Sequence, residues 1–233
     1  MKKNKLIGIL TICIASVTLL VMLTSKNWQS PEHREFKATA LLSNSEQTKK
    51  GPELGIFGSW SFYTPAKSES IDKWNPQTGK VIFQVRSDGG DTNFLVAKKR
   101  ARGKKDERWE FPGGRVDHHE TTIQATLREL REEDPSQTLY YIFLNTLKQN
   151  NRSLAYKKLE LANGEKHLIF MLCLQEEDLR PLLQLSQAKY PLSKEIYEFS
   201  LIPIEKLDMK KKKTRKLWTS KSVKILKSLR ASA

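Results

Sequence analysis

The stretch from Trp109 to Ser136, WEFPGGRVDHHETTIQATLRELREEDPS, decides the fold of this chain. Within it, Thr121 and Gln124 have the spacing of a capping box, which predicts a helix from about Thr121 to Glu133. Three apolar residues fall on one stripe of this predicted helix: Ile123, Leu127 and Leu130. We therefore expect this stripe to face a hydrophobic core.

The other side of the predicted helix is acidic. Three carboxylates fall within an arc of about 100°: Glu129, Glu132 and Glu133. Carboxylates this close repel one another, and no basic residue stands four positions after any of them to offset the repulsion. Taken alone, such a face is most often simply solvated. A divalent cation such as Mg²⁺, which prefers hard oxygen ligands, would also resolve the repulsion.

The spacing of the glutamates relative to Gly114 and Arg128 favours a bound divalent cation over a solvated face. Gly114, Glu120 and the run Arg128–Glu133 reproduce the Nudix box, G-x5-E-x7-R-E-U-x-E-E-x-G-U, in which U is aliphatic. At background residue usage, the chance of this match in a chain of this length is on the order of one in a million. The chain therefore resembles the Nudix hydrolase family, over roughly residues 79–207. The resemblance implies an α/β fold, an α/β/α sandwich around a mixed β-sheet.

Two residues of the box, which here runs from Gly114 to Ser136, depart from the family pattern. Pro135 replaces the usual Gly, and Ser136 replaces an aliphatic residue. Proline cannot adopt the positive φ of a glycine C-cap, and it pushes Asp134 out of the helical region. We expect the helix to end early and the following loop to be atypical, whereas all the expected metal ligands precede this point.

The resemblance also implies a reaction and its residues. Nudix enzymes typically use Mg²⁺ or Mn²⁺ to hydrolyse a diphosphate linkage in a nucleoside diphosphate derivative or a related polyanionic pyrophosphate. The implied metal ligands are Glu129, Glu132, Glu133 and the carbonyl of Gly113. Catalytic roles fall to Glu132 or Glu133, which would accept a proton from water, and to Glu120 and Arg128, which would brace the loop. Two further glutamates are candidates for a distal base: Glu195 and Glu198.

Positive charge surrounds the predicted site. The chain carries a net charge of +15, which suits a polyanionic substrate. Lys98 and Arg100 in the basic loop before the glycine turn, and Arg115 directly after it, are candidates for substrate binding. Nucleic acid is a less favoured partner, because aromatic residues do not alternate with the basic ones as they do in single-strand binders. The alternative function is a catalytically weak Nudix-fold module that binds RNA or phosphoinositides.

Strands are predicted around this helix from β-rich runs and turn signals. Residues 81–85 and 94–97 flank a glycine turn and predict a β-hairpin. Further strands are predicted at 156–161, 167–174 and 196–201, and a basic helix at 210–230. The predicted organisation has four parts: residues 1–25 as a membrane anchor or signal, 26–78 as a tether and irregular extension, 79–208 as the Nudix domain, and 209–233 as a basic helix or tail.

The amino terminus predicts a membrane partner. Three lysines precede an uncharged run from Leu6 to Leu23, whose length of about 27 Å as a helix nearly matches the hydrocarbon core of a bilayer. We expect a single-pass anchor through residues 6–23; the main alternative is a cleaved signal and a secreted or periplasmic protein, and a fully buried core helix is a third interpretation. The composition, 38% hydrophobic and 29% charged with two cysteines, excludes collagen, a disulfide scaffold and a Cys-rich zinc module. The oligomeric state stays open.

Overall fold

The structure is a computed structural model. It describes residues 60–87, 89–100, 107–148, 154–187, 192–193 and 196–231. The predicted anchor at 6–23 and most of the predicted tether at 26–78 lie outside these ranges. Among the helices within them, none combines the length and the apolar character needed to cross a bilayer.

The described part of the chain contains one mixed sheet of eight strands. The strands are β1 (Ser61–Phe62), β2 (Thr78–Arg86), β3 (Thr92–Arg100), β4 (Glu107–Glu110), β5 (Gly113–Arg115), β6 (Ala155–Glu160), β7 (Lys166–Gln175) and β8 (Ile196–Pro203). Their main order is β1-β6-β7-β2-β3-β4, with β5 paired to β2 and β8 paired to β3. Only the β2–β7 pair is parallel in this sheet.

The predicted strands are confirmed. β2 and β3 form the expected antiparallel hairpin, in which Gln84 lies opposite Phe94. β6, β7 and β8 begin and end within two residues of the predicted bounds. Their β-branched and aromatic runs are buried by a layer on each face of the sheet, which is why the local pattern predicted them well.

Helices cover both faces of the sheet. They are α1 (Ser68–Asp72), α2 (Thr122–Glu133), α3 (Thr138–Lys148), α4 (Arg180–Ser186), α5 (Lys212–Arg215) and α6 (Ser220–Ala231). One core cluster joins α2, α3 and α4 to the sheet through Leu130, Phe143 and Leu182. A second cluster joins α6 to the opposite face through Ile225 and Leu229. The mixed α/β fold expected from the sequence is confirmed.

The end of α2 follows from Pro135. The helix stops at Glu133, and Asp134 is extended, with φ −113° and ψ 100°. The buried Asp134 carboxylate accepts the backbone N–H of Ser136 at 2.8 Å and of Leu139 at 2.9 Å. It thereby caps α3, a helix that the sequence analysis did not predict. Burial raises the pKa of this carboxyl, although these hydrogen bonds act in the opposite direction.

The carboxyl-terminal stretch predicted as one basic helix is divided into α5 and α6. Trp218 lies between them and is 1% exposed, packed against Trp109 and Phe111. The Trp109 N–H donates to the Leu217 carbonyl at 2.7 Å, so this segment continues the edge of the sheet. The apolar face of α6 then covers the second core. The predicted domain boundary at residue 208 stays a prediction.

Candidate active site

A glycine turn between β4 and β5 forms the floor of the site. Gly113 has φ +104°, a conformation that favours glycine, and a Cβ there would lie 2.4 Å from the Gly79 carbonyl oxygen. The Val81 N–H donates to the Pro112 carbonyl at 2.9 Å, while Gly114 lies opposite Gly79 in the β2–β5 pair. The turn is thus held tightly against β2.

Helix α2 begins beside this turn. Its predicted capping box is present: the Gln124 N–H donates to Thr121 Oγ1 at 3.2 Å, and the Thr121 N–H donates to Gln124 Oε1 at 2.8 Å. The Thr122 N–H donates to Asp72 Oδ1 on α1 at 3.0 Å. A Cβ on Gly79 would lie 2.1 Å from the Thr126 hydroxyl, so the helix contacts the backbone of β2 directly. This close packing sets where the acidic end of the helix lies.

The structure brings two of the three glutamates of α2 onto the glycine turn. The Glu129 carboxylate lies against Gly114, where an added Cβ would be 2.0 Å from the carboxyl carbon. Glu133 Oε2 accepts the Gly113 N–H at 2.9 Å, and its side chain is only 6% exposed. Glu132 is 59% exposed. The helical wheel placed Glu133 on an outer face because a wheel takes no account of the turn packed over the end of the helix.

Arg128 clamps the loop between the turn and α2. Its guanidinium donates to both carboxylate oxygens of Glu120, at 2.7 and 3.1 Å, and to the Arg115 carbonyl at 3.0 Å. It also lies 3.1 Å from Glu129 and 3.5 Å from Glu132. The hydrogen bonds from Arg128 lower the pKa of Glu120, and the same contacts raise the pKa of Arg128. Both side chains stay ionised and the loop keeps its shape.

Two lysines, the buried Lys80 and the partly buried Lys99, complete the floor of the site. Lys80 is 3% exposed; its ammonium donates to the Gly113 carbonyl and lies 2.8 Å from Glu110 Oε1. Lys99 Nζ lies 2.9 Å from Glu133 Oε1 and 3.7 Å from Glu110 Oε2. The sequence analysis assigned no role to Lys80, although a lysine inside the apolar strand β2 was a visible signal.

Burial and the lysines act against each other on these carboxyls. Burial would raise the pKa of Glu110, but the charges of Lys80 and Lys99 outweigh it, so this pKa is lowered. For Glu133 burial prevails over the same two lysines, and its pKa is raised. Burial lowers the pKa of His167 to about 4, because it disfavours the charged imidazolium. The charges of Lys221 and Lys80 act in the same direction.

The donor chemistry of this site fits a hard divalent ion. All the predicted ligands are oxygens, and Glu129 and Glu133 converge on the glycine turn, where the missing Cβ of Gly114 lets the Glu129 carboxylate approach closely. Each carboxylate at present faces a protein cation, Arg128 or Lys99. Among the described residues no three acidic, histidine or cysteine side chains are grouped closely enough to coordinate an ion in this arrangement. An ion would therefore bind by displacing those cations.

The predicted substrate-binding residues on β3 are engaged with other side chains. Lys98 Nζ lies 2.8 Å from Glu198 and 3.8 Å from Glu107. The Arg100 guanidinium lies over the Tyr197 ring at 4.7 Å. Although burial alone would raise the pKa of Glu198, hydrogen bonds from Lys98 and Ser200 lower it, which makes this candidate distal base a weak proton acceptor. Their predicted roles stay predictions.

Of the two remaining candidates, Arg115 lies at the margin of the site. The Arg115 side chain is exposed, and its carbonyl accepts from Arg128. Glu195 lies outside the described residues. Beside Glu198, a cavity of about 820 Å³ opens between α4 and β8. Its lining residues are Leu183, Ser186, Gln187, Tyr197, Glu198, Phe199, Ser200 and Leu201.

Comparisons with known proteins agree with the motif. Residues 75–221, more than half of the chain, match the family model described as NUDIX domain. Over 41 residues the chain is 44% identical to the 8-oxo-dGTP diphosphatase of Proteus vulgaris; this match covers 18% of this chain and 37% of that protein.

Solved structures of Nudix proteins are also similar to this chain, at low sequence identity. A mutT/nudix family protein from Listeria innocua is 18% identical with a TM-score of 0.41, and the match covers 68% of this chain and 94% of that one. The Nudix hydrolase RenU from M. smegmatis is 14% identical with a TM-score of 0.40, and the match covers 67% of this chain and 84% of that one.

Proposed function

Because this chain belongs to the Nudix family, we propose that it is a Mg²⁺- or Mn²⁺-dependent hydrolase of phosphoanhydride bonds. Its substrate would be a nucleoside diphosphate derivative or a related polyanionic pyrophosphate. One observation carries the proposal: Glu129 and Glu133 both lie against the Gly113–Gly114 turn. A turn and an acidic helix held this closely together form an oxygen-rich site beside a surface that phosphates can approach.

The metal would be held by Glu129, Glu132 and Glu133. When bound, it would neutralise phosphate charge and lower the pKa of an attacking water. Arg128 keeps the loop closed on the helix through its two bonds to Glu120 and so positions Glu129 next to Gly114. Binding of the metal would displace Arg128 from Glu129 and Glu132. Arg128 would keep its two hydrogen bonds to Glu120.

Glu132 is the better of the two candidates for accepting the proton from water. Its side chain is mostly exposed, and its ion pair with Arg128 is long at 3.5 Å. Both oxygens of Glu133 are already engaged, by Lys99 and by the Gly113 N–H. A base must reach solvent or substrate to take up a proton, which favours Glu132.

The cavity beside β8 would hold the part of the substrate that carries no phosphate. Its volume of about 820 Å³ lies in the usual range for small-molecule sites. It combines aromatic and aliphatic walls with polar groups, and it shares Glu198 with the Lys98 ion pair. Lys98, Arg100 and Arg115 would supply the positive charge for the phosphates. The similarity to the 8-oxo-dGTP diphosphatase from Proteus vulgaris makes 8-oxo-dGTP a suitable first substrate.

A panel of phosphoanhydrides assayed with Mg²⁺ or Mn²⁺ tests the proposal. We expect turnover that needs the metal and that falls by about 100-fold or more in Glu132→Gln. Glu160→Gln is the matched control, because Glu160 is exposed at the end of β6, outside the site. Turnover that is equal in Glu132→Gln and in the wild type would contradict the proposed role of the acidic helix.

The binding-module alternative is favoured by one specific observation. Each box glutamate already faces a protein cation, and Lys80 occupies the Gly113 carbonyl, so the floor of the site is neutralised internally. Such a site could hold a polyanion without cleaving it. Binding of RNA or of a phosphoinositide headgroup, with no turnover on any member of the panel, would support this alternative over the hydrolase.

We also propose that residues 6–23 tether the protein to a membrane as a single-pass anchor. The support comes from the sequence alone, namely the uncharged run after three lysines. Fractionation of cells that express the full chain or a variant lacking residues 1–25 tests it. Recovery of both in the soluble fraction would contradict the anchor, and loss of the segment from the mature protein would support a cleaved signal.

A further inference from the structure

Lys80 lies at a position where an ammonium group is difficult to accommodate. It belongs to β2, faces Gly113 in the β2–β5 pair, and is 3% exposed, directly before the fully buried apolar run that begins at Val81. A buried charge needs compensation by opposite charge and hydrogen bonds. Lys80 has both, since it pairs with Glu110 at 2.8 Å and donates to the Gly113 carbonyl.

The surroundings hold this ammonium in place. Glu110 is also largely buried, and its second oxygen lies 3.7 Å from Lys99. Lys99 in turn pairs with Glu133, whose other oxygen accepts the Gly113 N–H. Both backbone groups of Gly113 are therefore connected to one chain of alternating charges. Withdrawal of Lys80 would remove the shorter ion pair of Glu110 and leave the longer contact to Lys99 at 3.7 Å.

The Gly113 carbonyl cannot serve the lysine and a divalent ion equally well. A carbonyl oxygen has two lone pairs, but an ion bound at about 2.1 Å would lie close to an ammonium that bonds the same oxygen. Two positive charges at that separation in a buried site repel strongly. The carbonyl that the sequence analysis assigned to the metal is thus taken by an internal cation.

We propose that Lys80 is a tethered cation that replaces a divalent ion at the Gly113 carbonyl, so that Lys80 sets the metal affinity of the site. This inference rests on the proposed function, because it assumes that metal binds to the glutamates of α2. The metal is held by these carboxylates without the backbone oxygen, and its binding is correspondingly weak. Removal of the ammonium restores the carbonyl as a ligand and strengthens binding.

Mn²⁺ binding to the full chain, measured by the EPR signal of the free ion, tests this without reference to turnover. Lys80→Met keeps the length of the side chain and removes its charge; we expect Mn²⁺ to bind about tenfold more tightly or better. Lys227→Met is the matched control, because Lys227 is exposed on α6 and its loss changes net charge equally. The control should bind like the wild type.

A second variant guards against misfolding. Lys80→Met leaves Glu110 poorly compensated, whereas Lys80→Met combined with Glu110→Gln removes the buried pair as a unit. Circular dichroism identifies which variant is folded, and the tighter binding is expected in either one. Binding equal to the wild type in a folded variant would overturn the inference while leaving the proposed function intact. Absence of Mn²⁺ binding in all the proteins would overturn both.

Discussion

Substitution of the two neighbouring glycines by alanine separates the role of the turn in stability from its role in metal binding. In Gly113→Ala the new methyl would lie 2.4 Å from the Gly79 carbonyl oxygen, and the residue would retain φ +104°. In Gly114→Ala the methyl would meet the carboxyl group of Glu129 at 2.0 Å. The first obstacle is backbone of a central strand, whereas the second is the end of a flexible side chain.

The two substitutions should therefore lower the free energy of unfolding by different amounts. For Gly113→Ala, a left-handed conformation costs about 1–3 kcal/mol, and displacement of packed backbone adds about 1–3 kcal/mol. A total near 4 kcal/mol corresponds to a fall in Tm of about 10 °C for a protein of this size. For Gly114→Ala, Glu129 can turn away, and we expect a loss of about 1 kcal/mol or less. Its expected defect is weaker metal binding, because Glu129 leaves the turn.

Thermal unfolding followed by circular dichroism measures the first effect, and Mn²⁺ titration measures the second. We expect a large drop in Tm only for Gly113→Ala, and a drop in Mn²⁺ affinity for a Gly114→Ala protein that is still well folded. A Gly113→Ala protein that melts like the wild type would refute the close packing of the turn on β2. Equal destabilisation by both substitutions would refute the distinction between them.

Three further predictions concern the supports around the site. Arg128→Lys keeps the charge but loses the forked bonds to Glu120, and should lower the free energy of unfolding by about 1–2 kcal/mol in urea titrations; an unchanged midpoint would count against the clamp. Asp134→Ala leaves the Leu139 N–H buried without its acceptor and should lower the free energy of unfolding by about 1–3 kcal/mol. Asp134→Asn should lower it less, and an equal loss of stability in both variants would argue against the cap. Because the pKa of His167 falls from 6.5 to about 4 on folding, the unfolded state binds more protons in this window, so stability is full above pH 6.5. As pH falls from 6.5 to 4 the protein should lose up to about 3 kcal/mol, and His167→Gln should flatten this dependence; a wild-type profile equally flat would disprove it.

Local sequence signals predicted the elements around the site well. The capping box at Thr121 and the proline at 135 gave the bounds of α2 to within a residue, because both act on the backbone next to them. The spacing from Gly114 to Glu133 identified the residues that meet at the turn. Helix α3 was missed because its cap is the side chain of Asp134, which lies on the other side of Pro135.

The contacts that distinguish this site lie far apart in the chain. Lys80 reaches a carbonyl 33 residues away through the β2–β5 pairing, and a sequence motif contains no record of that register. Glu133 is buried because the turn closes over it, although helical periodicity put it with Glu132. The pairs of Lys98 with Glu198 and of Lys99 with Glu133 depend likewise on strand and helix placement.

The most direct test of the whole account is hydrolysis of a nucleoside triphosphate such as 8-oxo-dGTP by the wild type and by Glu129→Gln, each with Mg²⁺ and with a chelator. We expect the wild type to release product only with the metal, and Glu129→Gln, with an unchanged Tm, to be at least about 100-fold slower. Equal rates in the two proteins, or product formation unaffected by the chelator, would contradict it.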